Sequence, residues 1–179
     1  DKMEPTGIEK RKFTLALLKK VFSWVRDINP SQPLTVGIYD YNIDWDKFDE
    51  LLPLEQYILN NSDFISFHDY GNKESVIKRI KHLKIYERPI VCTEYIARGQ
   101  GNTFENILPI FKENIIGGYN WGLVSGKTNT IYPWKSWDSI FKGPPKEWHH
   151  DIFYPNGEPF SVEEVELIKK LTSSVNFKN

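Results

Sequence analysis

At 179 residues, with 40% hydrophobic and 26% charged side chains, the chain has the size and balance of one globular domain spanning 1–179. A formal net charge of −1 removes the electrostatic case for nucleic acid or an anionic membrane as a partner. No run of about 18 apolar residues exists to form a membrane-spanning segment, the lone Cys92 rules out an intrachain disulfide, and residues 1–30 are too charged for a signal peptide.

Residues 7–29 carry Phe13, Leu17, Val21, Trp24, Val25 and Ile28 at helical spacing, with Lys and Arg between them. This predicts a helix that packs on that stripe and stops at Pro30. "PLTVGIYD" (33–40) reads as a strand, "LEQYILNNS" (54–62) as a short helix and "DFISFHDYG" (63–71) as a second strand. In 73–84, Val76, Ile77, Ile80 and Leu83 form the inward face of an amphipathic helix, with His82 left to solvent. "PIVCTEYI" (89–96) is the third strand, 103–114 a helix and "GGYNWGLVS" (117–125) the fourth strand. Ser161-x-x-Glu164 is a capping box that opens a last helix with Val162, Val165 and Ile168 inward and Phe160 placed to staple Val165.

The strands begin near residues 34, 64, 90 and 118, so the steps are roughly 30, 26 and 28. Strand–helix alternation at that period predicts βαβ units, a parallel sheet and an α/β fold. The long aromatic segment 126–160 is expected to be functional or to cover one end of the fold. Neither G-x-G-x-x-G nor G-x-x-x-x-G-K-[ST] occurs, so nucleotide binding loses its usual support.

Each strand finishes in chemistry. The ends are Tyr39-Asp40, His68-Asp69-Tyr70, Thr93-Glu94-Tyr95 and Asn120-Trp121. In a parallel sheet these ends share one edge, so groups distant in sequence converge. A carboxylate ending one strand is most often a solvated charge. Four consecutive strands ending this way point instead to an active site. Aromatics make up 15% of the chain and cluster at strand ends and in loops, which suits stacking on flat ligands as well as core packing.

His68-x-Tyr70, Glu94 and Trp121 at successive strand ends resemble the second half of a (β/α)8 (TIM) barrel glycoside hydrolase. The resemblance is to the large clan of retaining cellulases, mannanases and xylanases, and within it to family 5-like proteins labelled β-1,4-xylanases. "NWGLVSGKTNTIYPW" and "EWHHDIFYPNGEPFSVEEVELI" resemble that subgroup's ending. The resemblance implies Glu94 as nucleophile, His68 and Tyr70 as its neighbours, and Trp121 as a sugar-stacking platform. It also implies a carbohydrate substrate of the xylan, mannan or β-glucan class, no metal, no cofactor, and a secreted or periplasmic location.

A complete barrel needs eight βα units in about 250 residues. Four strands are therefore expected to be strands five to eight, with the N-terminal half of the same barrel as partner. Ile65, Phe67 and Val91 are then expected to face the barrel interior. The resemblance places the acid/base in an Asn-Glu pair ending strand four. The local candidate is Glu4 in "DKMEPTG", which has Pro5 after it but Met3 before it. His149-His150-Asp151 are expected to pack under the long loop, and Asp40, Lys127, Asn129 and Trp134 are further candidates for substrate contact. Two alternatives stand beside the hydrolase: a carbohydrate-binding barrel without catalysis, and a metal-dependent barrel enzyme.

Overall fold

The computed structural model describes residues 7–38 and 43–173. The elements are α1 (Gly7–Asp27), β1 (Gly37–Ile38), α2 (Pro53–Asn61), β2 (Ile65–His68), α3 (Lys73–Lys84), β3 (Ile90–Glu94), α4 (Phe104–Asn114), β4 (Gly117–Gly118) and α5 (Val162–Thr172). The four strands are all parallel and lie in the order β1-β2-β3-β4. The α/β class and the alternation read from the sequence are both present. Glu4, Tyr39 and Asp40 lie outside the described residues. Among the described residues, no helix is long and apolar enough to cross a membrane.

The strand order has no reversal, so successive right-handed crossovers place their helices on one face. A single core joins Ile38, Ile65, Phe67, Ile90 and Cys92 of the strands to Leu59, Val76, Ile80, Leu83, Ile107 and Phe111 of the helices. Side chains alternate along a strand, so the opposite face carries the residues between. Gly37, Ser66, Val91 and Gly117 form one row across it in register. This corrects the expectation for Ile65 and Phe67, which face the helices. Val91 lies on the other face, opposite Ser66.

The helix α1 also differs from its predicted packing. Leu18 and Phe22 turn inward, with Phe22 edge-on to Tyr57 at 5.7 Å. Phe13, Leu17, Trp24 and Ile28 are instead 58–77% exposed. The helix therefore has two apolar stripes, and a hydrophobicity count merges them. In α3, Val76, Ile80 and Leu83 are buried as expected, but Ile77 sits at the rim. His82 is buried rather than solvated, because its Nδ1 accepts the backbone N–H of Trp45 at 3.2 Å.

Caps follow the sequence. Asn72, Thr103 and Ser161 accept the N–H groups of Ser75, Asn106 and Glu164. Only half of the final capping box forms. The Glu164 carboxylate turns away to pair with both Arg98 Nε and Nη2, at 2.9 and 2.6 Å. Val162 is exposed, and Phe160 stacks on Trp148 at 4.8 Å. Arg98 is buried, donates to the Trp148 carbonyl and lies over Phe160, so it ties the end of β3 to both the long loop and α5.

One residue is conformationally misplaced. Ile115 ends α4 at φ 59° and ψ 47°, and its side chain is 90% exposed. A β-branched residue in this left-handed cap costs about 1–2 kcal/mol relative to glycine. Ile115→Gly should therefore stabilise the fold by about 1 kcal/mol, seen as a higher urea midpoint at unchanged slope. An unchanged or lower midpoint would show that the isoleucine side chain is held by contacts worth more than the strain.

Candidate active site

The site begins with a break in the ladder between β2 and β3. Ile65, Ser66 and Phe67 pair with Ile90, Val91 and Cys92, but His68 then pairs with Glu94. Strict alternation would send Glu94 to the helix face with Ile90 and Cys92. The one-residue slip puts it across from His68 instead. Thr93, the residue passed over, donates its hydroxyl to the Phe67 carbonyl at 3.1 Å.

Glu94 is held from two sides. Tyr70 donates its hydroxyl to Oε2 at 2.8 Å, and His68 Nδ1 lies 3.0 Å from the same oxygen. An ionised carboxylate can only accept, so the His68 proton belongs on Nδ1. Among the described residues both contacts land on Oε2 and none on Oε1. The Glu94 and His68 side chains are each 25% exposed, which leaves the carboxylate reachable.

Trp121 arrives by the same ladder. Beyond β4, Tyr119 N–H donates to the Cys92 carbonyl and Trp121 N–H to the Tyr95 carbonyl, at 2.9 and 3.0 Å. The chain can approach this closely because β4 is two glycines. A Cβ on Gly118 would meet the Phe111 ring at 2.9 Å and the Tyr95 ring at 3.3 Å.

The turn carrying Tyr70 is tied down independently. Asp69 is fully buried and accepts from Gly71 N–H at 2.7 Å and Ser75 Oγ at 3.0 Å. Burial raises its pKa, and these two hydrogen bonds partly offset the rise. Buried Asn102 donates to the Asp69 and Gly71 carbonyls at 3.1 and 2.6 Å, and its Oδ1 accepts Ile96 N–H at 2.8 Å. One amide thus joins the Tyr70 turn to the segment after Glu94. That segment is strained: Ile96 sits at φ 74°, unusual for a β-branched residue. Asn102 holds its N–H, and His150 Nδ1 donates to its carbonyl.

These groups open into a cleft of about 1040 Å³. His68, Tyr70, Glu94 and Trp121 all line it, so the structure brings together the four residues singled out from the sequence. Trp134 joins them, its ring edge-on to Tyr70 at 5.1 Å and to His149 at 4.8 Å. Arg79, Gln100 and Trp137 also line the cleft and were not singled out. Trp137 had a signal, the Trp-x-x-Trp spacing in an aromatic loop. Arg79 had none, since its place over the Trp45 ring at 4.3 Å depends on tertiary packing. Lys127 is not among the lining residues, and Asn129 lines a separate cavity.

Below the loop, His149, His150 and Asp151 are buried, as the sequence led one to expect. Burial and the neighbouring His150 and Arg98 push the His149 pKa down to about 4, and burial lowers that of His150. The folded protein therefore holds neutral rings, whereas the unfolded chain takes up protons below about 6.5. Stability should rise with pH between about 4 and 6.5 and be lost as pH falls through that window. His149→Phe keeps a ring against Trp134 and removes one titration. At pH 4.5 its melting temperature should exceed that of the parent by about 5 °C, with little difference at pH 8. Parallel melting curves at all pH values would refute this assignment.

No family model matches the chain, and no curated protein matches it. Among solved structures, a glycoside hydrolase family 5 mannosidase from Rhizomucor miehei is similar at TM-score 0.48 and 12% identity. The match covers 89% of this chain and 47% of that chain, so the present sequence spans about half the length of that structure. A likeness at this level carries no functional inference.

Proposed function

We propose that the chain supplies the nucleophile side of a retaining β-glycoside hydrolase acting on polysaccharides or oligosaccharides of the xylan, mannan or β-glucan class. The observation that carries this reading is Glu94: two donors on Oε2, Oε1 unengaged among the described residues, and Trp121 in the same cleft. Oε1 attacks the anomeric carbon while the glycosidic C–O bond breaks. A carboxylic acid about 5–5.5 Å from the nucleophile protonates the departing oxygen. The product is a glycosyl ester on Glu94. Water, deprotonated by the same second carboxyl, then attacks the anomeric carbon and releases the sugar.

Tyr70 and His68 fix the Glu94 rotamer by holding Oε2. Trp121 offers the apolar face that the C–H side of a pyranose needs. Asp69, the other carboxyl lining the cleft, is turned into Gly71 and Ser75 and serves the turn instead. The acid/base is accordingly assigned to four further βα units that complete a barrel. Glu4 is the local substitute, outside the described residues. The sequential strand order and the one-sided helices suit half a barrel. The exposed stripe Phe13, Leu17, Trp24 and Ile28 on α1 is where the preceding helices of that half would pack.

In the complete protein, Glu94→Gln should lower turnover at least about a thousandfold without altering the melting temperature, because an amide cannot form the ester. Tyr70→Phe should lower kcat more than it raises KM. Trp121→Ala should do the reverse, by about tenfold in KM. Residues 1–179 alone should be inactive on aryl β-glycosides. Full turnover by Glu94→Gln would refute the nucleophile, and turnover by the isolated chain would promote Glu4 to the acid.

A further inference from the structure

Trp137 belongs to two cavities. One is the cleft of about 1040 Å³ that holds Glu94, and the other is a cavity of about 450 Å³ that shares Trp137 with it. The second is walled by Asn129, Tyr132, Ser136, Asp138, Ile140 and Phe141. It is an open depression on the surface, wide enough to seat one small ring. Trp137 itself is 82% exposed and Ile140 98%. Large apolar side chains exposed together beside a concave surface mark a binding surface.

The hollow is built before any ligand arrives. Trp134 and Trp137 flank one 3-10 turn. The first is anchored on Tyr70 and His149, so the second is presented on a fixed base. Tyr132 and Phe141 meet edge to face at 5.5 Å and 79°, which makes one wall rigid. The backbone of the rim is tied by Asn129 N–H to Gly126, Tyr132 N–H to Asn129 and Asp138 N–H to Lys135, at 3.0–3.1 Å. It is bound to the buried cluster beneath by His149 N–H to Ile131 at 2.8 Å and Thr130 Oγ1 to Asp151 at 2.6 Å. A preformed site loses less entropy on binding.

Aromatic faces combined with an amide, a hydroxyl and a carboxylate select a particular ligand chemistry. The rings take an apolar C–H face, and the polar groups take pairs of hydroxyls. The Asp138 carboxylate disfavours an anionic ligand. We propose that this second cavity is an outer binding site for one neutral sugar unit of a chain that crosses Trp137 from the Glu94 cleft. The inference rests on the glycosidase reading and adds to it: the substrate is an oligosaccharide long enough to fill both cavities.

The test uses the full chain carrying Glu94→Gln, so that ligands are bound and not turned over. Xylo-, manno- and cello-oligosaccharides of two to six units are titrated calorimetrically against this protein and against further Trp121→Ala, Trp137→Ala and Asp138→Ala variants. In the binding series, affinity should rise with length. Trp137→Ala should remove about five- to tenfold of that gain and Asp138→Ala about two- to threefold, and Asp138→Ala, which lies outside the Glu94 cleft, should leave disaccharide affinity unchanged. Trp137 is exposed, so its loss leaves the fold intact. Equal loss for short and long ligands would place Trp137 in the inner cleft alone and overturn the outer site. So would a length gain that survives both variants. If none of the three series binds, the glycosidase reading falls and the outer site with it. If binding depends on Trp121 but not on Trp137 or Asp138, only the outer site falls.

Discussion

The position of one carboxylate relative to the pleat of a parallel sheet sets the geometry of the candidate site. Through Cys92 the third strand alternates without interruption, and its next outward residue on the helix side would be Glu94. There the carboxylate would enter the apolar core between sheet and helices, a burial costing several kcal/mol without partners. The slip between Phe67 and His68 turns it across the sheet to the face that carries Gly37, Ser66, Val91 and Gly117. Two donors then converge on one of its oxygens. Glu94, His68, Tyr70 and Trp121 come into one cleft only because that slip occurs where the strand ends.

Holding the slip in place requires an over-determined neighbourhood. Ile96 adopts a left-handed backbone that isoleucine resists, at a cost of about 1–3 kcal/mol. It is kept there by hydrogen bonds on both sides of its peptide, from Asn102 and His150. Asn102 in turn grips the Tyr70 turn, so strain on one strand end and order on the next are mechanically joined. The buried His149-His150-Asp151 segment then seats Trp134 against Tyr70. The long loop is thus a wall of the site and not an ornament on it.

Much of this was legible in the sequence because its signals are local. Strand–helix alternation, the caps at Asn72, Thr103 and Ser161, and the chemistry at each strand end all depend on a few neighbouring residues. What was hidden depends on tertiary registration. A strand pattern assumes period two, so it cannot show the slip at Thr93 that reorients Glu94. His82 has an ordinary amphipathic-helix context, and only the approach of Trp45 makes it a buried acceptor. The stripe on α1 was visible, but sequence periodicity cannot say which of two apolar faces meets the sheet. Arg79 and Gln100 reach the cleft through packing that leaves no pattern in the chain.

The proposed nucleophilic role of Glu94 is tested most directly by an attempt to trap a glycosyl ester on it. The full protein is incubated with activated 2-deoxy-2-fluoro glycosides of gluco, manno and xylo configuration, in which fluorine slows release of the sugar more than its attachment. Proteolysis and mass spectrometry then locate the adduct. The expected result is time-dependent inactivation with one fluorosugar added to the peptide that contains Glu94. A sugar found on Asp69 or another carboxylate, with Glu94 unmodified in the inactivated protein, would contradict it.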